Sequence, residues 1–263
     1  MFPLKDNIPT DRFPVVTVTL IALNVIAYFF WQQGGLTFGD PSSDPHYFHN
    51  LIDYAQIPYE ITHPGDHCEA VGDAIACEGM PGVQGTAAAQ PPTWLTLFTS
   101  MFMHGGLLHL GGNMLFLWIF GNNVEDSMGR VRFVAFYLLA GLAATAGQVL
   151  LNWDAAVPSI GASGAVAGVL GAYILLFPRA RVVTVIFIVF FFTIIELPAL
   201  LILGFWFVQQ VLFGYFDLNT GGASEGGVAY FAHIGGFVFG LVAIKLFADE
   251  RRRRRQQEAA LRF

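Results

Sequence analysis

Residues 228–247 read VAYFAHIGGFVFGLVAIKLF, and the chain continues with ADERRRRR over residues 248–255. The first stretch is 20 residues long, and Lys245 is its only acidic or basic residue apart from a histidine. A helix of about 20 apolar residues crosses the roughly 30 Å hydrocarbon core of a bilayer. We therefore predict a transmembrane helix that ends at a run of five arginines.

The composition of the whole chain also favours a membrane protein. Of its 263 residues, 55% are hydrophobic and 12% are charged, whereas soluble chains carry roughly 25% charged residues. The formal net charge of −6 excludes a basic nucleic-acid-binding protein, and the high hydrophobicity argues against disorder. Two cysteines are too few for a four-cysteine zinc site, and we expect no metal and no cofactor.

Further apolar segments predict an all-α, polytopic fold with six transmembrane helices. The predicted spans are 14–31, 107–124, 131–150, 163–177, 198–214 and 228–247. They leave an N-terminal segment over 1–13, a long first loop over 32–93, a core over 94–248 and a basic tail over 249–263. The first span lacks a small-residue cleavage site, so we do not expect a signal peptide.

The apolar stretch over 182–216 is too long for one span, and Pro198 divides it. We expect 182–197 to be interfacial or partly re-entrant. A seventh span here remains an alternative, but it would move the five arginines to the other side of the membrane.

The distribution of charge predicts the orientation. With six spans, all 13 Lys and Arg residues lie on one side, which also carries both termini. The loops on the other side carry 11 acidic residues and no basic residue. Because Lys and Arg are enriched in cytoplasmic flanks, we expect both termini to lie on the cytoplasmic side. The membrane would be the cell inner membrane or the plasma membrane.

Polar side chains inside predicted spans are costly and are candidates for function. They fall in HGGLLHLGGN (104–113), GASGAVAG (161–168) and AHIGGFVFG (232–240). His109 and Asn113 share a helical face because they are four residues apart. A serine near the start of such a helix usually bonds only to the backbone, and glycines at this spacing often serve only packing. For each motif taken alone, these purely structural interpretations remain open.

His109, Ser163 and His233 are expected at one depth. Each lies 14 residues from the cytoplasmic end of its helix, taken at 123, 177 and 247, which is about 21 Å at ~1.5 Å per residue. All three would lie below the outer boundary of the membrane. The small residues Gly164/Gly168 and Gly236/Gly240 allow two of these helices to approach closely.

The three motifs, in this order on helices two, four and six, resemble those of the rhomboid intramembrane serine proteases. The resemblance covers about 94–247, and NVEDSMG (123–129) and ELPALLILGFWF (196–207) are similar as well. It implies Ser163 as the nucleophile and His233 as its general base, with no aspartate. A serine hydroxyl needs such an adjacent base to become a good nucleophile.

The resemblance also assigns the surrounding groups. Asn113, His109 and the backbone N–H of Ser163 would form the oxyanion hole, His104 would brace a loop, and Gly161 would supply a backbone contact. Gly164 belongs to the same motif. This chain departs from many relatives at Ala167, where they carry an aromatic residue that stacks on the histidine, so His233 must be oriented in another way.

Cys68 and Cys77 lie in the outer loop, where an oxidising compartment permits a disulfide. Closing so short a loop would contribute about 2–3 kcal/mol, and we favour this bond over two free thiols. The loop histidines fit no strong zinc pattern. Arg251–Arg255 would bind anionic lipid or simply set the topology.

The predicted function is an endopeptidase that cuts at the outer end of transmembrane segments of other membrane proteins. Helix five and the 217–227 loop, with Gly221, Gly222, Gly226 and Gly227, would form its gate and cap. The alternative is a non-catalytic rhomboid-like protein that binds membrane helices. A transporter is disfavoured because repeated halves are missing, and zinc or two-aspartate proteases because their motifs are missing. Oligomeric state and physiological substrate do not follow from the sequence.

Overall fold

A computed structural model describes residues 2–36, 38, 44–71, 74–188, 191–219 and 228–260. Residues 220–227 of the predicted cap, with Gly221, Gly222, Gly226 and Gly227, lie outside these residues, and 217–219 belong to the helix before it. Most of the described chain is helical, and the strands form two small sheets. The helices are α1 (Val15–Ile26, continued by a π turn Ala27–Trp31), α2 (Pro45–Tyr54), α3 (Pro58–Thr62), α4 (Thr93–Thr99, continued by a 3₁₀ turn Ser100–Phe102), α5 (Leu107–Phe116, continued by a π turn Leu117–Gly121), α6 (Asn122–Met128), α7 (Arg130–Leu151), α8 (Ser163–Leu176), α9 (Ala199–Asn219), α10 (Tyr230–Phe247) and α11 (Glu250–Ala260).

Three of the described helices, α7, α9 and α10, are long and apolar enough to cross a membrane. Two shorter apolar helices accompany them, Val15–Trp31 and Ser163–Leu176. The chain is therefore a polytopic helical membrane protein.

Helix α8 lies at the centre of the bundle. Almost all of its residues are buried, as expected for a helix that is apolar on every face, and it packs between α7 and α10. A Cβ on Gly236 would overlap the carbonyl oxygen of Gly164, and one on Gly240 would overlap that of Gly168. The predicted glycine pairs thus face each other, and the two backbones are in contact.

The second apolar segment continues through α5, its π turn and α6 to Met128, beyond the predicted end at 124. Glu125 is buried near that end and accepts hydrogen bonds from the backbone N–H groups of Val16 (3.1 Å) and Thr17 (2.8 Å) and from the Thr17 hydroxyl (2.8 Å). The first N–H groups of a helix have no partner within the helix. Glu125 therefore caps α1 from a distant part of the chain.

The fold is mostly helical, but the expectation that it is all-α is wrong for three parts of the described chain: the N-terminus, the stretch after α8 and part of the first loop. In the stretch expected to be interfacial or partly re-entrant, β4 (Arg181–Ile188) pairs antiparallel with β5 (Phe191–Pro198), and β1 (Phe2–Asp6) pairs with β4. The β4 sequence RVVTVIFI is rich in β-branched residues, which pack well in strands. A short apolar run does not by itself distinguish a strand from a helix, so the sequence left the conformation of this segment open.

The described part of the first loop is folded. Strands β2 (Cys68–Val71) and β3 (Ala74–Cys77) pair antiparallel, and a disulfide joins Cys68 to Cys77. Gln56 forms an isolated β-bridge with Ser159, through hydrogen bonds of 3.2 and 2.7 Å. This bridge fastens the loop to the segment that leads into α8.

The basic tail is helical and docked. Asp249 donates its backbone N–H to Ser127, and the Gln257 side chain donates to the carbonyl of Leu176 at 2.7 Å. Gln256 is buried against α6 and donates to Asn123. The tail thus begins with a helix that is anchored to the bundle.

Candidate functional site

Ser163 is the first residue of α8, and the turn before it depends on a glycine. Gly161 has φ +125°, a conformation that residues with a side chain rarely adopt. A Cβ at this position would also lie 2.9 Å from the His109 ring. The Gly161 N–H donates to the carbonyl of Ser100 at 2.9 Å, which holds the turn in place and presents Ser163 at its end.

Ser163 and His233 are hydrogen-bonded across two helices. The Ser163 Oγ lies 2.8 Å from Nε2 of His233. The side chains can meet because Gly164 and Gly236, one and three residues further along, bring the backbones of α8 and α10 together. This is the distance at which a base can take the proton of a serine hydroxyl.

The other ring nitrogen of His233 is held from α9. Its Nδ1 lies 2.9 Å from Oε1 of Gln210, which is buried, and the Trp206 ring lies 5.7 Å from the imidazole with a tilt of 40°. Ala167, where the resemblance leads one to expect an aromatic ring, contributes only a methyl group. The orientation of His233 thus comes from a different helix.

Neither Gln210 nor Trp206 is among the site residues predicted from the sequence. A glutamine in the middle of an apolar span is a signal of the kind that singled out His233. Gln209 and Gln210 both carry that signal, and only the packing of α9 distinguishes them.

His109 packs against the turn at Gly161. Its Nδ1 accepts the backbone N–H of Gly105 at 3.1 Å. A neutral imidazole that accepts at Nδ1 carries its hydrogen on Nε2, so the nitrogen nearest the turn, within about 3 Å of a Cβ built on Gly161, is a donor. The Asn113 side chain donates to the carbonyl of His109 at 2.9 Å and is largely buried on the same helical face.

His104 is completely buried between the first loop and the turn. Its carbonyl accepts from Gln32 (2.9 Å) and from the Tyr47 hydroxyl (3.0 Å), while its N–H donates to Gln32 at 2.8 Å. Its Nε2 faces the N–H of Ala162 at 3.5 Å, and its ring contacts that of His109 edge-on. Gln32 and Tyr47 therefore belong to the support of the site, although neither is predicted from the sequence.

A small cavity opens beside Ser163. It is lined mainly by small residues, and its polar groups include Gln56, Ser100, Thr145 and Ser159. Among the described residues, the buried Nε2 of Gln56 has no hydrogen-bond partner. The cavity offers polar groups that can hold a water molecule next to the serine.

The chain is similar to known proteins over the region that holds the site. A family model described as the Rhomboid domain matches residues 91–250. This range includes Ser163, His233 and Gln210, whereas the supporting residues Gln32, Tyr47 and Gln56 lie before it. The chain is 32% identical over 183 residues to "Rhomboid protein 1, mitochondrial" of Saccharomyces cerevisiae, across 64% of this chain and 47% of that protein.

Two other similar proteins come from different sources. "Rhomboid protease GluP" of Bacillus subtilis is 40% identical over 79 residues, which are 30% of this chain and 15% of that protein. "Presenilin-associated rhomboid-like protein, mitochondrial" of Homo sapiens is 31% identical over 151 residues, which are 55% of this chain and 36% of that protein. The matches thus span less than half the length of each of these relatives.

Proposed function

The chain belongs to the rhomboid family, and on this premise we propose that it is an intramembrane serine endopeptidase. Its substrates would be membrane proteins, cut within or near the outer end of a transmembrane segment. One observation carries the proposal: the 2.8 Å hydrogen bond between Ser163 Oγ and His233 Nε2 inside a helical membrane protein.

The chemistry follows from this pair. The Ser163 oxygen attacks the scissile carbonyl carbon while its proton moves to Nε2 of His233. The tetrahedral intermediate then collapses: the C–N bond breaks, the same proton passes to the leaving amine, and an acyl-enzyme ester remains on Ser163. A water molecule, activated by His233, hydrolyses the ester and regenerates the serine.

The negative charge on the intermediate's oxygen needs donors that are already in place. The backbone N–H of Ser163, at the positive end of the α8 dipole, and the Nε2–H of His109 are suited to this role. Asn113 is the third candidate; its amide would exchange its present bond to the His109 carbonyl for one to the oxyanion. The cavity lined by Gln56 and Ser159 is suited to supply the water.

The proposed topology has six spans, both termini in the cytoplasm and the site open to the outer side of a cell membrane. The one-sided distribution of Lys and Arg supports it. Helix α8, with 14 residues, is about 21 Å long, and this length suits a helix surrounded by protein that starts below the outer surface. The cluster at its N-terminus would then be reached from outside.

Labelling with a fluorophosphonate probe, which phosphonylates activated serines, tests the function on the full chain in detergent and in liposomes. We expect labelling of the native protein, loss of labelling in Ser163→Ala and in His233→Ala, and retention in the matched control Ser127→Ala, whose hydroxyl is buried elsewhere in the fold. Cleavage of a reconstituted single-span substrate should follow the same pattern.

Labelling that survives both site substitutions would refute the assignment of the dyad. If the native protein binds single-span helices but neither reacts with the probe nor cleaves them, the non-catalytic alternative is correct.

A further inference from the structure

Gln209 and Gln210 are adjacent polar side chains in the apolar middle of α9, and Gln210 is the buried one, with 7% of its surface exposed. A buried amide is costly unless it is hydrogen-bonded, and its Oε1 is 2.9 Å from Nδ1 of His233. We propose that Gln210 is a positioning residue: it holds His233 in the tautomer that carries its hydrogen on Nδ1 and keeps Nε2 directed at Ser163. This inference rests on the proposed function and deepens it.

The direction of the hydrogen bond determines the tautomer. An amide oxygen only accepts, so Nδ1 must donate to Oε1 of Gln210. A neutral imidazole has one hydrogen, and its other nitrogen, Nε2, is then left with a free lone pair. That lone pair is what the Ser163 hydroxyl needs as its proton acceptor. With the opposite tautomer, Nε2–H would point at the serine and no proton transfer could begin.

Position is determined together with tautomer. His233 is bonded at both nitrogens, by Ser163 on one side and by Gln210 on the other, so the ring can neither flip nor swing without breaking a bond. Trp206 lies against the ring. It is four residues before Gln210, on the same face of α9. Its ring supplies the aromatic contact with the imidazole that the methyl group of Ala167 cannot make.

The arrangement follows the logic of a triad, in which a third group orients the base, but the third group is a neutral amide. A neutral acceptor stabilises one tautomer without adding a charge to a membrane interior, where a carboxylate would be expensive. After proton transfer, the same oxygen still accepts from the Nδ1–H of the imidazolium. Gln210 therefore assists both the resting state and the charged intermediate.

The competing interpretation is purely structural: the bond would only fasten α9 to α10. The test uses Gln210→Met, which keeps the length of the side chain but has no acceptor, and the matched control Gln209→Met on the same helix. Initial rates of cleavage of a single-span substrate in liposomes give kcat and KM, and thermal unfolding gives stability. We expect Gln210→Met to lower kcat about ten-fold, the effect of losing a neutral hydrogen bond, with KM within about two-fold.

A second measurement reads the tautomer directly and needs no activity. Nitrogen-15 NMR of histidine-labelled protein, with the His233 signals assigned by their loss in His233→Ala, distinguishes a protonated from an unprotonated ring nitrogen. In the native protein we expect Nδ1 protonated and Nε2 not. In Gln210→Met we expect both tautomers, whereas a merely structural bond would leave the populations unchanged or simply unfold the protein.

The outcomes are separable. A native protein with Nε2 protonated overturns the proposal, even if Gln210→Met does not fold. An unchanged kcat in a folded Gln210→Met also overturns it, as does an equal loss in Gln209→Met. If the native protein neither cleaves nor reacts with a fluorophosphonate, the proposed function fails, while the NMR signals still report whether Gln210 selects the tautomer.

Discussion

Replacing Glu125 should detach the N-terminus of α1 from the bundle, and the structure allows the loss to be estimated. In Glu125→Ala, three donors lose their acceptor: the N–H groups of Val16 and Thr17 and the Thr17 hydroxyl. Val16 is half-buried, so its N–H can reach solvent. Thr17 is completely buried, and each of its two donors would be left unsatisfied.

Leaving a buried donor without a partner costs about 1–3 kcal/mol, and losing a carboxylate from a helix N-terminus costs roughly 0.3–1 kcal/mol more. For two such donors, we expect Glu125→Ala to lower the free energy of unfolding by about 2–7 kcal/mol. Glu125→Gln retains one acceptor oxygen but turns an NH₂ toward the other donors, and it should cost about half as much.

The assay is reversible unfolding in mixed micelles, followed by tryptophan fluorescence, with the full chain. Glu258→Ala, at an exposed glutamate of the tail helix, is the control and should change stability by less than about 0.5 kcal/mol. A loss below about 1 kcal/mol in Glu125→Ala, or an equal loss in the control, would refute the capping role.

Three other substitutions test packing, the turn and a buried carboxyl. Gly236→Leu should separate α10 from the Gly164 carbonyl and cost at least about 1–3 kcal/mol, the usual range for overpacking; a variant as stable as the native protein in the same unfolding assay would contradict the contact. Gly161→Ala should lower the rate of fluorophosphonate labelling at least about ten-fold while leaving the protein folded, because a methyl group strains the turn at φ +125° and displaces the His109 ring. Unchanged labelling would show that this turn does not position the site. Burial raises the pKa of Asp6 from 3.8 to about 6, so the native state binds a proton more tightly than the unfolded state. The free energy of unfolding should therefore fall as the pH rises from about 4 to about 6, by up to about 3 kcal/mol. Asp6→Asn should flatten this slope when unfolding is measured at pH 4, 5, 6 and 7. A free energy of unfolding that rises with pH over this range in the native protein would contradict the assignment.

Part of the site follows from local patterns. The equal spacing of Ser163 and His233 from the ends of their helices and the glycines beside them can be read along the chain, because a helix has a constant rise and small residues permit close packing. The 2.8 Å contact agrees with that geometry. The distribution of Lys and Arg likewise predicts an orientation from the sequence alone, and this remains a prediction.

Other features depend on contacts between distant segments. The strand β4 is stabilised by pairing with β1 on one side and β5 on the other, and an apolar run does not show by itself which distant segment it will pair with. Glu125 is one acidic residue among several near the end of a helix until α1 places its free N–H groups against it.

What the sequence determined by itself is a membrane protein with a serine and a histidine that are predicted to lie at one depth, and motifs that resemble those of the rhomboids. Hydrophobicity and the constant rise of a helix are local properties and suffice for the predicted spans and depth, whereas the family was suggested by the resemblance. Only the tertiary structure distinguished Gln210 from Gln209 and gave His233 its second partner. The reason is physical: a hydrogen bond depends on distance and direction within a few tenths of an ångström, and these depend on how α9 is rotated against α10, which no pattern within either helix specifies.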